Sequence, residues 1–212
     1  MLIVKTLPVG AFQANAFVIK CSETGEGAVV DPGDEGDLIL EMVRQKEVDV
    51  KYILLTHAHV DHVGDLKAVK ESTGAQILMN EGDSFLLESV GAQALSFGLR
   101  VAGGSAVDIF VKDGDVYRFG QLEVRVIHTP GHSPGGVCYL IGNSLFVGDT
   151  LFAGSIGRTD LPGGSYETLI SSIVDKLLPL GDDIDVYTGH GPSTTLGEER
   201  LTNPYLRSTS SM

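Results

Sequence analysis

The chain has 212 residues, 42% of them hydrophobic, with 27 glycines, which suits one well-cored α/β domain rich in tight turns. Against 28 Asp and Glu, 15 Lys and Arg leave a formal charge of −13, so a partner bound through phosphate neutralisation is disfavoured and neither nucleic acid nor an anionic membrane is expected. No basic-then-apolar leader is visible and no apolar run approaches the roughly 18 residues of a membrane span; a soluble, cytoplasmic protein is expected.

The chain opens with strand-like segments at 2–7, 14–20 and 27–30, the second and third joined by a hairpin around Ser22 to Gly25. The third stops at Asp31-Pro32-Gly33, where Asp31 either orients groups beneath a site or makes the turn; structural support is favoured. Cys21 closes the second strand, and Cys138 lies in the apolar run Val137 to Ile141. Without a C-x-x-C, neither a zinc knuckle nor a redox motif is on offer.

Residues 34–46 read as an amphipathic helix with Leu38, Ile39, Met42 and Val43 on one face. A short strand, Tyr52 to Leu55, then delivers Thr56-His57-Ala58-His59-Val60-Asp61-His62-Val63-Gly64. Alternate residues of an extended run point the same way, so His57 and His59 can face one point. After the chain turns, Asp61 and His62 can reach a second point beside it. Helix, crossover and strand together place this cluster at a strand's carboxyl end, the usual address of an α/β active site.

A helix over 64–73 with Leu66 and Val69 inward, a strand over 76–79 and a short helix over 80–89 follow. From Gly91 to Lys112 no period is sustained, which makes this stretch a candidate flap or substrate-side loop. Strands at 116–119 and 122–127 form a hairpin through Gly120-Gln121. The second runs into His128-Thr129-Pro130-Gly131-His132-Ser133-Pro134-Gly135-Gly136. His132 hangs from a rigid turn, as a metal ligand should; His128, still on the strand, is expected to be buried or supporting.

A further hairpin, 137–141 with 145–147, ends at Gly148-Asp149-Thr150 and so brings one carboxylate to a turn. The loop 151–164 is glycine-rich but lacks the Gly-Lys-Ser/Thr of a phosphate-binding loop. Within it, Arg158 and Asp160 are expected to pair and shape the loop, with contact to substrate by Arg158 as the alternative. Ser165 caps a helix whose stripe Tyr166, Leu169, Ile170, Ile173, Val174, Leu177 and Leu178 is core. A strand at 185–188 leads to Gly189-His190-Gly191, and the tail 208–212 is expected to be disordered.

The strand-end donors are His57, His59, Asp61, His62, His132, Asp149 and His190. One tetrahedral ion could use only about four of them, so two ions sharing a bridge are expected. The assignment is His57, His59 and His132 around the first, Asp61, His62 and His190 around the second, and Asp149 spanning both. With Asp61 and Asp149 as the acids closest to the chemistry, such a pair can hold and deprotonate a water. Imidazole and carboxylate without thiolate leave zinc, iron and manganese open, zinc first. A non-catalytic, metal-stabilised binding domain is the less favoured alternative, because a structural site is closed with four ligands.

These motifs resemble the metallo-β-lactamase superfamily, and within it the glyoxalase II-like (hydroxyacylglutathione hydrolase-like) enzymes. T-H-A-H-V-D-H-V-G, T-P-G-H-S-P-G, G-D-T-L-F and G-H-G occur in the family's order across nearly the whole chain. Gly157-Arg158-Thr159-Asp160 and Thr202-Asn203-Pro204-Tyr205 point toward this branch. The resemblance implies a four-layer αβ/βα sandwich, here over 1–207 as a single domain. It implies thioester hydrolysis of S-lactoylglutathione or a related small acyl-thiol. Full-length glyoxalase II carries a helical C-terminal domain that contacts the tripeptide, whereas this chain ends soon after His190, so the thiol carrier stays open. A thiolate, with conjugate-acid pKa about 8.5, leaves without strong acid help, which favours a thioester over an amide.

The main rival on the same scaffold resembles the persulfide dioxygenases, which use one iron at the positions matching His57, His132 and Asp149. Flavodiiron oxidases resemble H-x-E-x-D-H, from which Ala58-His59 departs. A nuclease of the superfamily would need an added nucleic-acid domain.

Overall fold

The computed structural model describes residues 1–101 and 103–207, and the expected tail 208–212 lies outside the described residues. Its first sheet comprises β1 (Leu2–Val9), β2 (Ala14–Cys21), β3 (Glu26–Val30), β4 (Asp49–Leu54), β5 (Gln76–Met79) and β6 (Ile109–Phe110), in that spatial order. β1 to β3 are antiparallel neighbours, whereas β3 to β6 run parallel. Parallel neighbours need crossovers, supplied here by α1 (Gly36–Gln45) and by α2 (Val60–Val63) with α3 (Leu66–Thr73). The last crossover contains α4 (Ser84–Glu88) and α5 (Val90–Ser96).

The second sheet is built from β7 (Val116–Phe119), β8 (Leu122–His128), β9 (Val137–Ile141) and β10 (Ser144–Gly148). After a two-stranded ribbon, β11 (Leu151–Phe152) with β12 (Ser155–Ile156), comes α6 (Tyr166–Ser171). β13 (Asp185–Thr188), β14 (Thr194–Thr195), α7 (Leu196–Thr202) and α8 (Pro204–Arg207) complete the chain, and the sheet order is β14-β13-β10-β9-β8-β7.

Side-chain alternation sorts these strands into three cores. On β4 and β5, Ile53, Ile77 and Met79 pack with Ile39, Val43, Leu66 and Val69 of the outer helices. Their neighbours Leu54 and Leu78 point the other way, to Phe17, Val126, Tyr139 and Phe146 between the sheets. On the second sheet, Cys138, Leu145 and Val147 pack on Leu169, Ile173 and Leu177. Both faces of each sheet are therefore apolar, which produces continuous hydrophobic runs and a helix-sheet-sheet-helix stack. This is the four-layer sandwich that the motifs imply.

Several local expectations need correction. Leu38 is exposed rather than part of the α1 stripe; Ile39 and Val43 carry the burial. Residues 91–112 are not patternless, since α5 occupies Val90–Ser96 with Val90 and Ala94 inward; Gly91 and Gly98 dilute its signal. The helix after Ser165 widens into a π-helical stretch at Ser172–Leu177 and tightens at Leu178–Leu180 before ending. Its expected member Tyr166 is exposed. The start of α7 carries a legible signal that the sequence reading passed over: Thr195 Oγ1 accepts from Glu198 N at 3.1 Å, the T-x-x-E capping pattern.

Candidate metal centre

The carboxyl ends of β4, β8, β10 and β13 converge on one edge of the stack. Beyond β4 the chain bends at Thr56, is extended again at His59 and then coils into α2, so His57 and His59 precede the helical turn and Asp61 and His62 follow it. His132 sits on the turn between β8 and β9. Gly131 there has φ 136°, and a Cβ would overlap the Leu169 backbone, so only glycine permits the turn to press against α6. Asp149 follows β10. His190 follows β13 and bridges to Ala14.

Two donor clusters result. Ligand atoms of His57, His59 and His132 lie within 4.8 Å of one another, as do those of Asp61, His62 and His190. His59 Nδ1 is 2.8 Å from His132 Nε2, which is 3.3 Å from His57 Nε2. In the second cluster, His190 Nε2 is 3.2 Å from Asp61 Oδ2 and 3.4 Å from His62 Nε2. Asp149 reaches both: Oδ2 is 3.6 Å from His132 Nε2 and from His190 Nε2, and Oδ1 is 3.4 Å from His62 Nε2. His128 stands apart, its Nε2 bonded to the Pro134 carbonyl at 3.0 Å.

The outer partners set the tautomers. His132 Nδ1 donates to the Arg158 carbonyl at 2.8 Å and His190 Nδ1 to the Phe12 carbonyl at 3.1 Å. His62 Nδ1 donates to Asp31 Oδ2 at 3.1 Å. His57 Nδ1 donates to Thr56 Oγ1 at 3.0 Å, and that hydroxyl donates to Asp31 Oδ2 at 2.6 Å. Each of these four rings thus turns Nε2 inward, the arrangement in which a second-nitrogen hydrogen bond orients a metal-ligating histidine, whereas His59 faces the cluster through Nδ1.

Lone pairs facing one another at these distances repel unless a proton or cation lies between them. Asp149 Oδ1 is also buried without a hydrogen-bond partner, an expensive arrangement unless a cation satisfies it. On both counts the residues fit a pair of divalent ions. A third grouping, Asp31 with His57 and His62, does not: the Asp31 oxygens are spent on Thr56 N, Thr56 Oγ1 and His62 Nδ1.

Charge follows the same division. Burial, then the neighbouring His132 and His62, pushes His59 down to about 4, and burial pushes His57 well below the imidazole range. Burial opposes charge on His62 too, yet Asp149, Asp61 and Asp31 prevail and raise it well above its ordinary value. His190 is raised, burial being outweighed by Asp61 and Asp149. Despite burial, Asp61 and Asp149 are lowered by the imidazoles facing them.

A cavity of about 570 Å³ opens over both clusters, reaching His59, Asp61, His132, Asp149 and His190. Its outer wall is apolar: Phe12, Phe85, Phe97, Leu161 and Pro162. Phe12 and Phe97 meet edge to face at 5.1 Å. Phe97, Gln93 and Ser96 come from the stretch expected to lie on the substrate side. Arg158 also lines the cavity, while its guanidinium grips Asp160 through two bonds of 2.7 Å. The sequence gives no sign of the rest of this wall, Phe12, Phe85, Leu161 and Pro162, since isolated exposed apolar residues carry no pattern. It gives none of Asn15, whose Nδ2 donates to the Thr188 and Gly191 carbonyls on either side of His190, both at 2.9 Å, or of Asp83, which lies beneath the first cluster.

A four-layer sandwich with paired histidine-carboxylate clusters at one edge defines a metallo-hydrolase. The Metallo-beta-lactamase superfamily model matches residues 9–190, and the chain belongs to that superfamily, whose members bind divalent metals. It is 42% identical over 211 residues to "Hydroxyacylglutathione hydrolase GloC" of Haemophilus influenzae, covering 98% of this chain and 99% of that protein. Among solved structures it is similar to "BLEG-1 B3 metallo-beta-lactamase", with TM-score 0.89 and 36% identity over 96% of this chain and 99% of the other. It is also similar to "TTHA1623 in a di-iron-bound form", with TM-score 0.88 and 36% identity over 96% and 100% of the respective chains.

Proposed function

We propose that this protein is a two-metal thioesterase of the glyoxalase II type, acting in the cytoplasm on S-lactoylglutathione or a related small acyl-thiol, with one domain, residues 1–207, carrying the whole site. The observation that carries the reading is Asp149, an orphaned carboxylate within 3.6 Å of histidines in both clusters. In this assignment His57, His59 and His132 would hold one ion, Asp61, His62 and His190 would hold the other, and Asp149 would serve both. Zinc is the first choice; the di-iron form of one similar structure keeps iron close behind, and manganese suits the same donors.

Divalent ions held there supply Lewis acidity, which lowers the pKa of water from about 15.7 to near 7 and polarises a carbonyl. The chain's own residues do the rest. Asp31, directly and through Thr56, and the Phe12 and Arg158 carbonyls keep the imidazoles in the required tautomers. Phe12, Phe85 and Phe97 narrow the approach and exclude bulk water. The acids that line the cavity, Asp61 and Asp149, both belong to the clusters, so neither is free to protonate a departing amine. A thiolate needs no such help, which favours a thioester over a β-lactam. Identity to a hydroxyacylglutathione hydrolase supports glutathione as carrier.

The test is metal content per chain together with hydrolysis of one acyl group carried on different thiols. Two metals and thioester hydrolysis without oxygen uptake are expected. One iron per chain, with oxygen consumed on glutathione persulfide, would overturn the reading in favour of a mononuclear dioxygenase using His57, His132 and Asp149.

A further inference from the structure

Asp83 is a fully buried carboxylate in the single helical turn Glu81–Asp83 that follows β5. No basic side chain pairs with it among the described residues. Instead it accepts from Ala58 N at 3.0 Å and Ser133 Oγ at 2.8 Å through Oδ2, and from Gly135 N at 2.6 Å through Oδ1. Ala58 separates His57 from His59. Ser133 adjoins His132, and Gly135 closes the same turn. One carboxylate of the first sheet's edge therefore holds both segments that supply the first cluster, although the His132 turn belongs to the second sheet.

The fit is close. A Cβ on Gly135 would lie 2.5 Å from Asp83 N and 2.7 Å from its carboxylate, and one on Gly82 would lie 3.0 Å from Gly135 Cα. Val137 N also donates to the Thr56 carbonyl at 2.8 Å, so the two segments are clamped on both sides of the imidazoles. The second cluster is braced differently: His62 by Asp31, and His190 by the Phe12 carbonyl and the Asn15 amide. Nothing that Asp83 bonds to belongs to that bracing.

We propose that Asp83 is a positioning residue for the first cluster alone, setting the distance between the His57–His59 segment and His132 and thereby the metal affinity of that cluster but not of the Asp61–His62–His190 cluster. The proposal rests on the two-metal reading above. Its physical basis is the number of acceptors required: three donors converge on two charged oxygens, and an asparagine offers one oxygen and would turn its own N–H groups toward a donor. Supports of this kind typically change metal affinity by about 10–100-fold when removed.

The full-length, metal-free protein is titrated with cobalt(II), whose absorption reports ligand geometry, for wild type, Asp83→Asn and Ser133→Ala. Asp83→Asn is expected to weaken one cobalt site by about 10–100-fold and leave the other within about threefold. Ser133→Ala, which keeps both backbone donors, is expected to shift the same site in the same direction by less. Added to His190→Ala the Asp83→Asn loss persists; added to His59→Ala it vanishes. In the metal-free protein, amide exchange quickens at 57–59 and 132–136 and is unchanged at 188–191. Equal weakening of both sites, no weakening of either, or faster exchange at 188–191 would overturn the proposal. If Asp83→Asn does not fold, Ser133→Ala decides. If wild type takes up only one cobalt ion, the two-metal reading fails, while the exchange pattern still decides whether Asp83 holds the first cluster.

Discussion

Asp31 Oδ2 lies 3.1 Å from His62 Nδ1 and 2.6 Å from Thr56 Oγ1, whose oxygen in turn lies 3.0 Å from His57 Nδ1. A single carboxylate thus braces one imidazole of each cluster. Its own backbone is left-handed, with φ 48°, an uncommon state that Asp tolerates better than most residues. Asp31→Asn is expected to lower metal affinity in both clusters by about 10–100-fold, as read by competition with a chelator. Loss confined to one cluster would show that Thr56 holds His57 without it.

Gly189 packs beneath the carboxylate of Asp149. A Cβ there would overlap Asp149 Oδ1 and come within 2.8 Å of the Gly148 carbonyl carbon. Gly189→Ala should displace Asp149 while the circular dichroism spectrum stays that of wild type. Metal content should fall from two per chain toward one, and kcat by about 100-fold, the scale of an ångström-sized misplacement. Two metals with undiminished turnover would remove Asp149 from its bridging role.

The opposed histidine shifts predict how stability of the metal-free protein depends on pH. His59 titrates at about 4 when folded and near the ordinary 6.5, approximately, when unfolded. As pH falls through that window the unfolded chain binds a proton that the folded chain refuses, so stability falls. His62 works oppositely: its folded value is raised, so its contribution is complete below about 6.5 and is lost as pH rises through the raised value. Urea midpoints should peak near neutrality. Zinc should extend stability on the alkaline side, because a cation then takes the place of the His62 proton. A metal-free midpoint still climbing at pH 9 would contradict this.

Phe85 and Phe97 stand half-exposed at the cavity mouth. If they contact substrate equally before and during reaction, their loss raises KM and spares kcat. Phe85→Ala and Phe97→Ala should each raise KM about 5–10-fold, the value of roughly 1–1.5 kcal/mol of lost apolar contact. Steady-state kinetics on one thioester decide it, and a fall in kcat with unchanged KM would place the rings in the chemistry instead.

Arg158 touches the first cluster only through its backbone carbonyl, and its exposed side chain is taken up by Asp160. Arg158→Ala should leave metal content unchanged and kcat/KM within about threefold, as removal of an exposed pair usually does. A KM more than tenfold higher for a charged thiol carrier, but not for a neutral one, would make Arg158 a substrate contact.

What could be read early was whatever the chain writes locally. The continuous apolar runs at Tyr52–Leu55, 76–79 and 137–141 announce strands buried on both faces, and an apolar strand ending in His-x-His-x-Asp-His announces donors delivered to one edge. The Asp31-Pro32-Gly33 turn is legible for the same reason. Where local signals are weak the sequence misleads: glycines mask α5, and the helical spacing places Leu38 and Tyr166 on faces that neighbouring layers do not cover. The supports of the site left no local trace. Asp83 bonds to residues 25, 50 and 52 positions away, Asn15 to residues 173 and 176 positions away, and the cavity wall draws its aromatics from three separate segments.

By itself, then, the order of residues determined which donor types reach which strand ends, because side-chain period and turn chemistry act over a few residues, and its motifs carried the resemblance that implies the family and the layer architecture. The division of the donors into two groups with Asp149 between them is an expectation of the sequence; the tertiary structure alone decided the distances within and between those groups, which outer acceptors hold the imidazoles, and which nitrogen each turns inward. Those are distances and hydrogen bonds between loops of two different sheets, and they exist only once the layers have packed.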